Sequence, residues 1–82
     1  MEFSNKDIKI CIDSLNYSNR KDRRKIRLIR KICDDHDFIS YLNKITDDND
    51  VMHTYLFIEC KESDLDFIDG LSAGLDVSWY VK

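Results

Sequence analysis

Five arginines and three lysines crowd the twelve residues from Arg20 to Lys31, against a single acid, Asp22. A guanidinium makes paired hydrogen bonds to carboxylates and phosphates and keeps its charge at every physiological pH, so the chemistry on offer is capture of anions. The segment carries +7 and the other seventy residues −10, inside a chain whose net charge is −3. Segregation of this kind marks a contact surface, the competing reading being a solvated face balanced by the acidic remainder.

Wound as a helix at about 100° per residue, Ile26, Leu28, Ile29, Ile32 and Cys33 fall on one side. Arg20, Arg23, Arg24, Arg27, Arg30 and Lys31 fall on the other, in an arc of about 120°. Lys21 and Lys25 lie near the apolar flank and would snorkel. These six cations are the candidate partner-binding residues. An acidic protein surface is the favoured partner, because the arginines have no interleaved aromatics, the chain shows no ribonucleoprotein-type motif, and the rest of it is acidic. The acidic face of a second copy is a related option and would give an electrostatically assembled homo-oligomer. A nucleic acid, RNA ahead of DNA, is the alternative partner for the same helix, and an anionic membrane surface the third.

Other chemistry finds less footing. Cys33 and His36 have the Cys-x-x-His spacing of half a zinc site, with Cys11, His53 and Cys60 as remote candidates, but a second short ligand pair is lacking. Asp47, Asp48 and Asp50 lack the glycine and distal glutamate of a calcium loop and read as a polar turn. No nucleophile elbow, phosphate loop, dinucleotide fingerprint or metalloprotease motif is present. The expectation is a non-enzymatic regulator or inhibitor with no cofactor, no metal and no catalytic residues. Its Ile-, Lys-, Asp- and Asn-rich, alanine-poor composition is common among small phage-type accessory proteins, an association only.

The elements that position the basic segment follow from caps and periodicity. Ser4 with Asp7 approximates a capping box before Ile8, Cys11, Ile12 and Leu15, predicting a helix over residues 5–16. Ile8, Ile10 and Ile12 also alternate at strand period, so residues 7–13 have a strand reading as well. Asn19 caps the basic helix, and the apolar stripe loses phase at residues 34–37. Asp34 or Asp35 then caps a third helix over residues 36–45. The run Tyr55-Leu56-Phe57-Ile58 marks a strand within residues 51–60. Ser63 with Asp66 opens a further helix ending near Gly74. Leu75, Val77, Trp79 and Val81 alternate as a last strand, with Trp79 inward and Tyr80 outward, available to anchor a partner if the sheet edge is open.

The expected fold class is therefore α+β: three N-terminal helices, then strand-helix-strand on a two-stranded sheet, or a three-stranded one if residues 7–13 are extended. A strand, crossover helix and strand suggest a parallel pair. Three helices before strands also invite a winged helix-turn-helix reading, against which the acidic start of the third helix weighs. Eighty-two residues suffice for one domain, 1–82. No apolar run approaches the roughly 20 residues of a membrane span. Three cysteines without framework spacing or a preceding leader point to reduced thiols in a cytoplasmic protein.

Overall fold

A computed structural model describes residues 8–82. In chain order these form β1 (Ile8–Ile12), α1 (Arg20–Asp35), β2 (Ile39–Thr46), β3 (Met52–Cys60), a 3-10 turn (Glu62–Asp64), α2 (Leu65–Leu75) and β4 (Tyr80–Val81). The strands make one four-stranded sheet in the order β2-β3-β1-β4, with every neighbouring pair antiparallel. Chain order β-α-β-β-α-β with this sheet order is the split β-α-β plan of ferredoxin-like sheets.

The fold class is α+β, but two of the three expected N-terminal helices are strands, and the sheet has four strands instead of the expected two, or three with residues 7–13 extended. The capping pair Ser4 and Asp7 lies outside the described residues. Residues 8–12 are β1, paired with β3 from Ile8 opposite Cys60 to Ile12 opposite Leu56. Three β-branched isoleucines fit a pleated surface better than a helix. Cys11, whose spacing from Ile8 and Leu15 suggested helix, is fully buried on the opposite face of the sheet, where it stands in register with Phe57 and Tyr80.

Residues 39–46 are β2 and not a third helix, which also removes the winged helix-turn-helix arrangement. The acidic run before β2 ends α1 instead of starting another helix. Asp37 adopts φ 60°. The Phe38 N–H donates to the Cys33 carbonyl at 2.8 Å and the Asp37 N–H to the Asp34 carbonyl at 3.3 Å, the Schellman pattern, with Phe38 then turning into the core. Aspartate tolerates the left-handed region because its short polar side chain hydrogen-bonds locally. The same device ends α2: Asp76, φ 56°, takes the left-handed position expected near Gly74, with the Val77 N–H bonded to the Ser72 carbonyl at 3.0 Å.

The expected parallel pair is not a hydrogen-bonded pair. β3 and β4 run parallel, but β1 lies between them and is antiparallel to both. The last strand is also shorter than its alternation suggested, only Tyr80 and Val81, extended by the Lys82 N–H donating to the Lys9 carbonyl at 2.8 Å.

The core lies on one face of the sheet. Ile10, Ile12, Leu56, Ile58 and Cys60 project there and meet Ile26, Ile29 and Cys33 of α1 and Ile68 of α2. Both helices therefore cover the same face, and the other side of the sheet carries no helix among the described residues. The loop into α1 is tied down by the Tyr17 N–H, which donates to the buried Thr54 Oγ1 of β3 at 2.9 Å.

Candidate functional site

The helix that carries the cations is built by its cap and its narrow apolar stripe. The Asn19 side chain accepts from the backbone N–H groups of Lys21 at 2.8 Å and Asp22 at 3.2 Å, satisfying two donors that the first turn leaves open. Ile26, Ile29 and Cys33 are buried against the sheet. Leu28, expected on the buried side, is 45% exposed. Ile26, Ile29 and Cys33 span only about 60° around the helix axis, and Leu28 lies about 100° from Ile29, beyond the reach of the sheet.

Burial of that stripe leaves the cationic side outward. Arg20, Arg24 and Arg27 are exposed and have no ion-pair partner among the described residues. Lys31 meets Asp35 at 3.6 Å with both side chains largely in water, a pairing that stabilises little. Arg30 is exposed, its Nε donating to Ser40 Oγ at 3.4 Å across to β2. Arg23 differs from the other five. It is half-buried, and its Nη1 donates to the Tyr17 carbonyl at 3.0 Å and the Ser18 carbonyl at 3.4 Å, so it braces the loop before the helix. Lys25, on the apolar flank, is half-buried, whereas Lys21 is exposed.

Between α1 and β2 runs an open groove of about 380 Å³, bounded by Tyr17 and Leu42 and lined by Arg23, Arg27, Arg30 and Lys31, with Asp34 also on its wall. Tyr17 sits between two cations, with the Lys44 Nζ 4.2 Å and the Arg23 guanidinium carbon 5.9 Å from its ring centre. Sequence reasoning missed Tyr17, Ser40 and Lys44 as members of this surface: Ser40 and Lys44 depend on β2 being a strand beside α1, and Tyr17 on the loop that Thr54 of β3 ties down. The phase of Ile39, Tyr41 and Ile45 at period two was the available signal.

The helix-free face of the sheet carries a second feature. Tyr41 of β2 stacks on Phe57 of β3 at 5.1 Å between ring centres, and Tyr55 lies 6.4 Å from Phe57. Lys9 lies 5.7 Å from the Tyr41 and Phe57 rings, and Lys82 lies 5.6 Å from Phe57. A hydrogen bond with Tyr41 raises the Lys9 ammonium above its ordinary range. The rings are inclined to one another by only 24–27°, and Phe57 is buried among them. Tyr41 and Tyr55 are half-buried.

The remaining candidates are dispersed. Cys11, Cys33 and Cys60 are in the thiol form, joined in no disulfide, and fully buried. Burial, and secondarily the Asp34 carboxylate, pushes the Cys33 thiol up to about 11, so it stays protonated and behaves as a small hydrophobe. Hydrogen bonding to Cys11, with desolvation next, pushes the Tyr80 hydroxyl up to about 12. His36 is exposed and packs against Phe67 at 4.3 Å between ring centres, the rings tilted by 40°. His53 reaches the other way, its Nε2 meeting Asp47 Oδ2 at 2.9 Å. No group of three or more His, Cys, Asp or Glu side chains that could hold a metal ion occurs among the described residues. Asp47 instead organises the β2–β3 turn: its Oδ1 accepts from the N–H groups of Asn49 at 2.8 Å and Val51 at 3.0 Å. No helix among the described residues is long and apolar enough to cross a membrane.

No family model matches the chain, and comparison with curated proteins and with solved structures returns no match.

Proposed function

We propose that this protein is a non-enzymatic regulator that docks onto an acidic protein surface through the outward face of α1. One observation carries the reading: Arg20, Arg24 and Arg27 stand exposed on a helix whose opposite side is consumed by the sheet, and no carboxylate of the described chain neutralises them. Cations left without a counter-charge among the described residues have a use when that charge arrives on a partner. Arginine suits that use because its planar fork pairs both oxygens of a carboxylate.

Two features favour protein over the other polyanions. Among the sheet aromatics Phe57 is buried and Tyr41 and Tyr55 are half-buried, a smaller stacking platform than a row of exposed rings would give. A membrane-surface helix must insert an apolar face, and α1 spends Ile26, Ile29 and Cys33 on the core, leaving Leu28 as its exposed large apolar residue.

The test is a parallel titration by fluorescence anisotropy and vesicle sedimentation near physiological salt. The probes are a poly-glutamate peptide, a single-stranded RNA of equal charge, and vesicles containing anionic lipid. Tighter binding of the peptide supports the reading. Tighter binding of RNA, with a steep loss of affinity as salt rises, replaces it with the nucleic-acid reading; sedimentation with vesicles replaces it with the membrane one.

A further inference from the structure

We propose that the free edge of β2 receives a fifth strand from the partner: an extended segment of an acidic protein in which Asp or Glu alternates with apolar residues. The inference deepens the docking reading above and rests on it.

β2 ends the sheet, and its outer edge meets no other strand among the described residues. Natural sheets blunt such edges with short strands, charged side chains (lysine above all), proline, bulges or covering loops, because unpaired N–H and C=O groups invite another chain. β2 shows little of this protection. It is eight residues long, against two for β4 at the other end of the sheet. It contains no proline, and its register with β3 runs unbroken from Ile39 opposite Glu59 to Thr46 opposite Met52, so no bulge turns it aside. Its one charge is Lys44.

The two sides of this edge differ in chemistry, and that difference specifies the occupant. Ser40, Leu42 and Lys44 point toward the helix layer, where Arg27, Arg30 and Lys31 line the groove beside Leu42 and Arg30 reaches Ser40 at 3.4 Å. Ile39, Tyr41 and Ile45 point the other way, with Ile39 46% and Ile45 55% exposed. An incoming strand lies about 4.8 Å beyond β2, and its side chains alternate between the same two sides. Carboxylates at every second position would enter the cationic groove, while the intervening apolar residues cover Ile39, Tyr41 and Ile45. A second copy does not fit this edge. Isologous β2–β2 pairing would bring the two α1 helices alongside each other and set arginine against arginine.

The experiment uses the full chain, isotope-labelled, and two peptides of eight residues, the length of β2. One alternates Glu and Val; the other has the same composition with the four Glu before the four Val. The alternating peptide is expected to bind about tenfold tighter, since some three cross-strand pairs each add a factor of about two. On binding, it should slow amide hydrogen exchange at alternate residues of β2, those whose N–H groups face outward, and leave α2 unchanged. Arg27→Glu with Arg30→Glu should abolish this preference while the circular dichroism spectrum persists. Equal affinity for the two peptides, or binding without protection of β2, overturns strand addition. If poly-glutamate still binds in that case, the α1 docking reading survives alone; if neither it nor the peptides bind, both readings fall.

Discussion

Replacing Ile29 by alanine, with Leu28→Ala as the adjacent control, measures how α1 is seated. Ile29 is fully buried between helix and sheet. Ile29→Ala removes about three methylene equivalents worth about 0.8 kcal/mol each. Because neighbours collapse only partly into the space, the total loss is about 3–4 kcal/mol. A domain of 82 residues is stable by roughly 4–12 kcal/mol, so this one change removes a large part of the margin. At about 4–8 °C per kcal/mol, the melting midpoint should fall by about 15–25 °C. Leu28 stands 45% exposed on the same helix, and leucine and alanine differ little in helix propensity. Leu28→Ala should lower stability by no more than about 0.5 kcal/mol. Urea unfolding followed by circular dichroism at 222 nm reads both midpoints, with an unchanged slope confirming that the unfolding reaction is the same. Equal losses at the two positions would refute the seating of α1 and turn its cationic face away from the direction argued above.

Three further outcomes follow from polar and thiol groups. The Ser72 hydroxyl is buried with no hydrogen-bond partner among the described residues, so Ser72→Ala should raise stability by about 1 kcal/mol, and a loss in urea unfolding would show that the hydroxyl is satisfied. The His53 hydrogen bond, followed by the N–H groups of Val51 and Asn49, holds the Asp47 carboxyl below its usual range. Its contribution is thus full above the unfolded value of about 3.9 and is lost as pH falls through the lower folded value. Asp47→Asn should therefore flatten the acid side of the stability–pH curve, and an unchanged acid limb would contradict this. Cys11, Cys33 and Cys60 should react with a thiol reagent near pH 8 only as fast as the fold opens, roughly a thousandfold slower than in urea. One thiol reacting at the unfolded rate would be inconsistent with the core described.

The sequence was most readable where local signals and tertiary demands agreed. Asn19 as cap, the apolar residues from Ile26 to Cys33 and the loss of phase after Cys33 locate α1 closely, since capping and amphipathic burial act on the same stretch. β3 was readable from Tyr55 to Ile58 because a central strand is apolar on both faces. The errors at β1 and β2 have one physical origin. Cys11 and Leu15 are buried for reasons of sheet and loop packing, which counterfeits helical spacing around three strand-favouring isoleucines. Aspartates also do two jobs here: Asp37 and Asp76 hold the left-handed positions usually given to glycine, so that in the sequence the end of α1 looks like the start of another helix. The cations on α1 could be named from sequence, but the groove could not, because Leu42 bounds it only through the placement of β2, which also brings Ser40 to Arg30 and Lys44 to the Tyr17 ring.

The outer face of α1 is the surface that an acidic partner should recognise. Arg20→Glu, Arg24→Glu and Arg27→Glu together reverse that face without touching Arg23, which braces the loop through the Tyr17 and Ser18 carbonyls. The measurement is the affinity of this variant for a poly-glutamate peptide, beside the wild type and the off-face reversal Lys61→Glu. A loss of roughly 30-fold or more is predicted for the triple variant, from three ion pairs each turned from modest attraction to repulsion, with folding intact and Lys61→Glu near wild type. Undiminished binding by the folded triple variant, or an equal loss from Lys61→Glu, would contradict the claim.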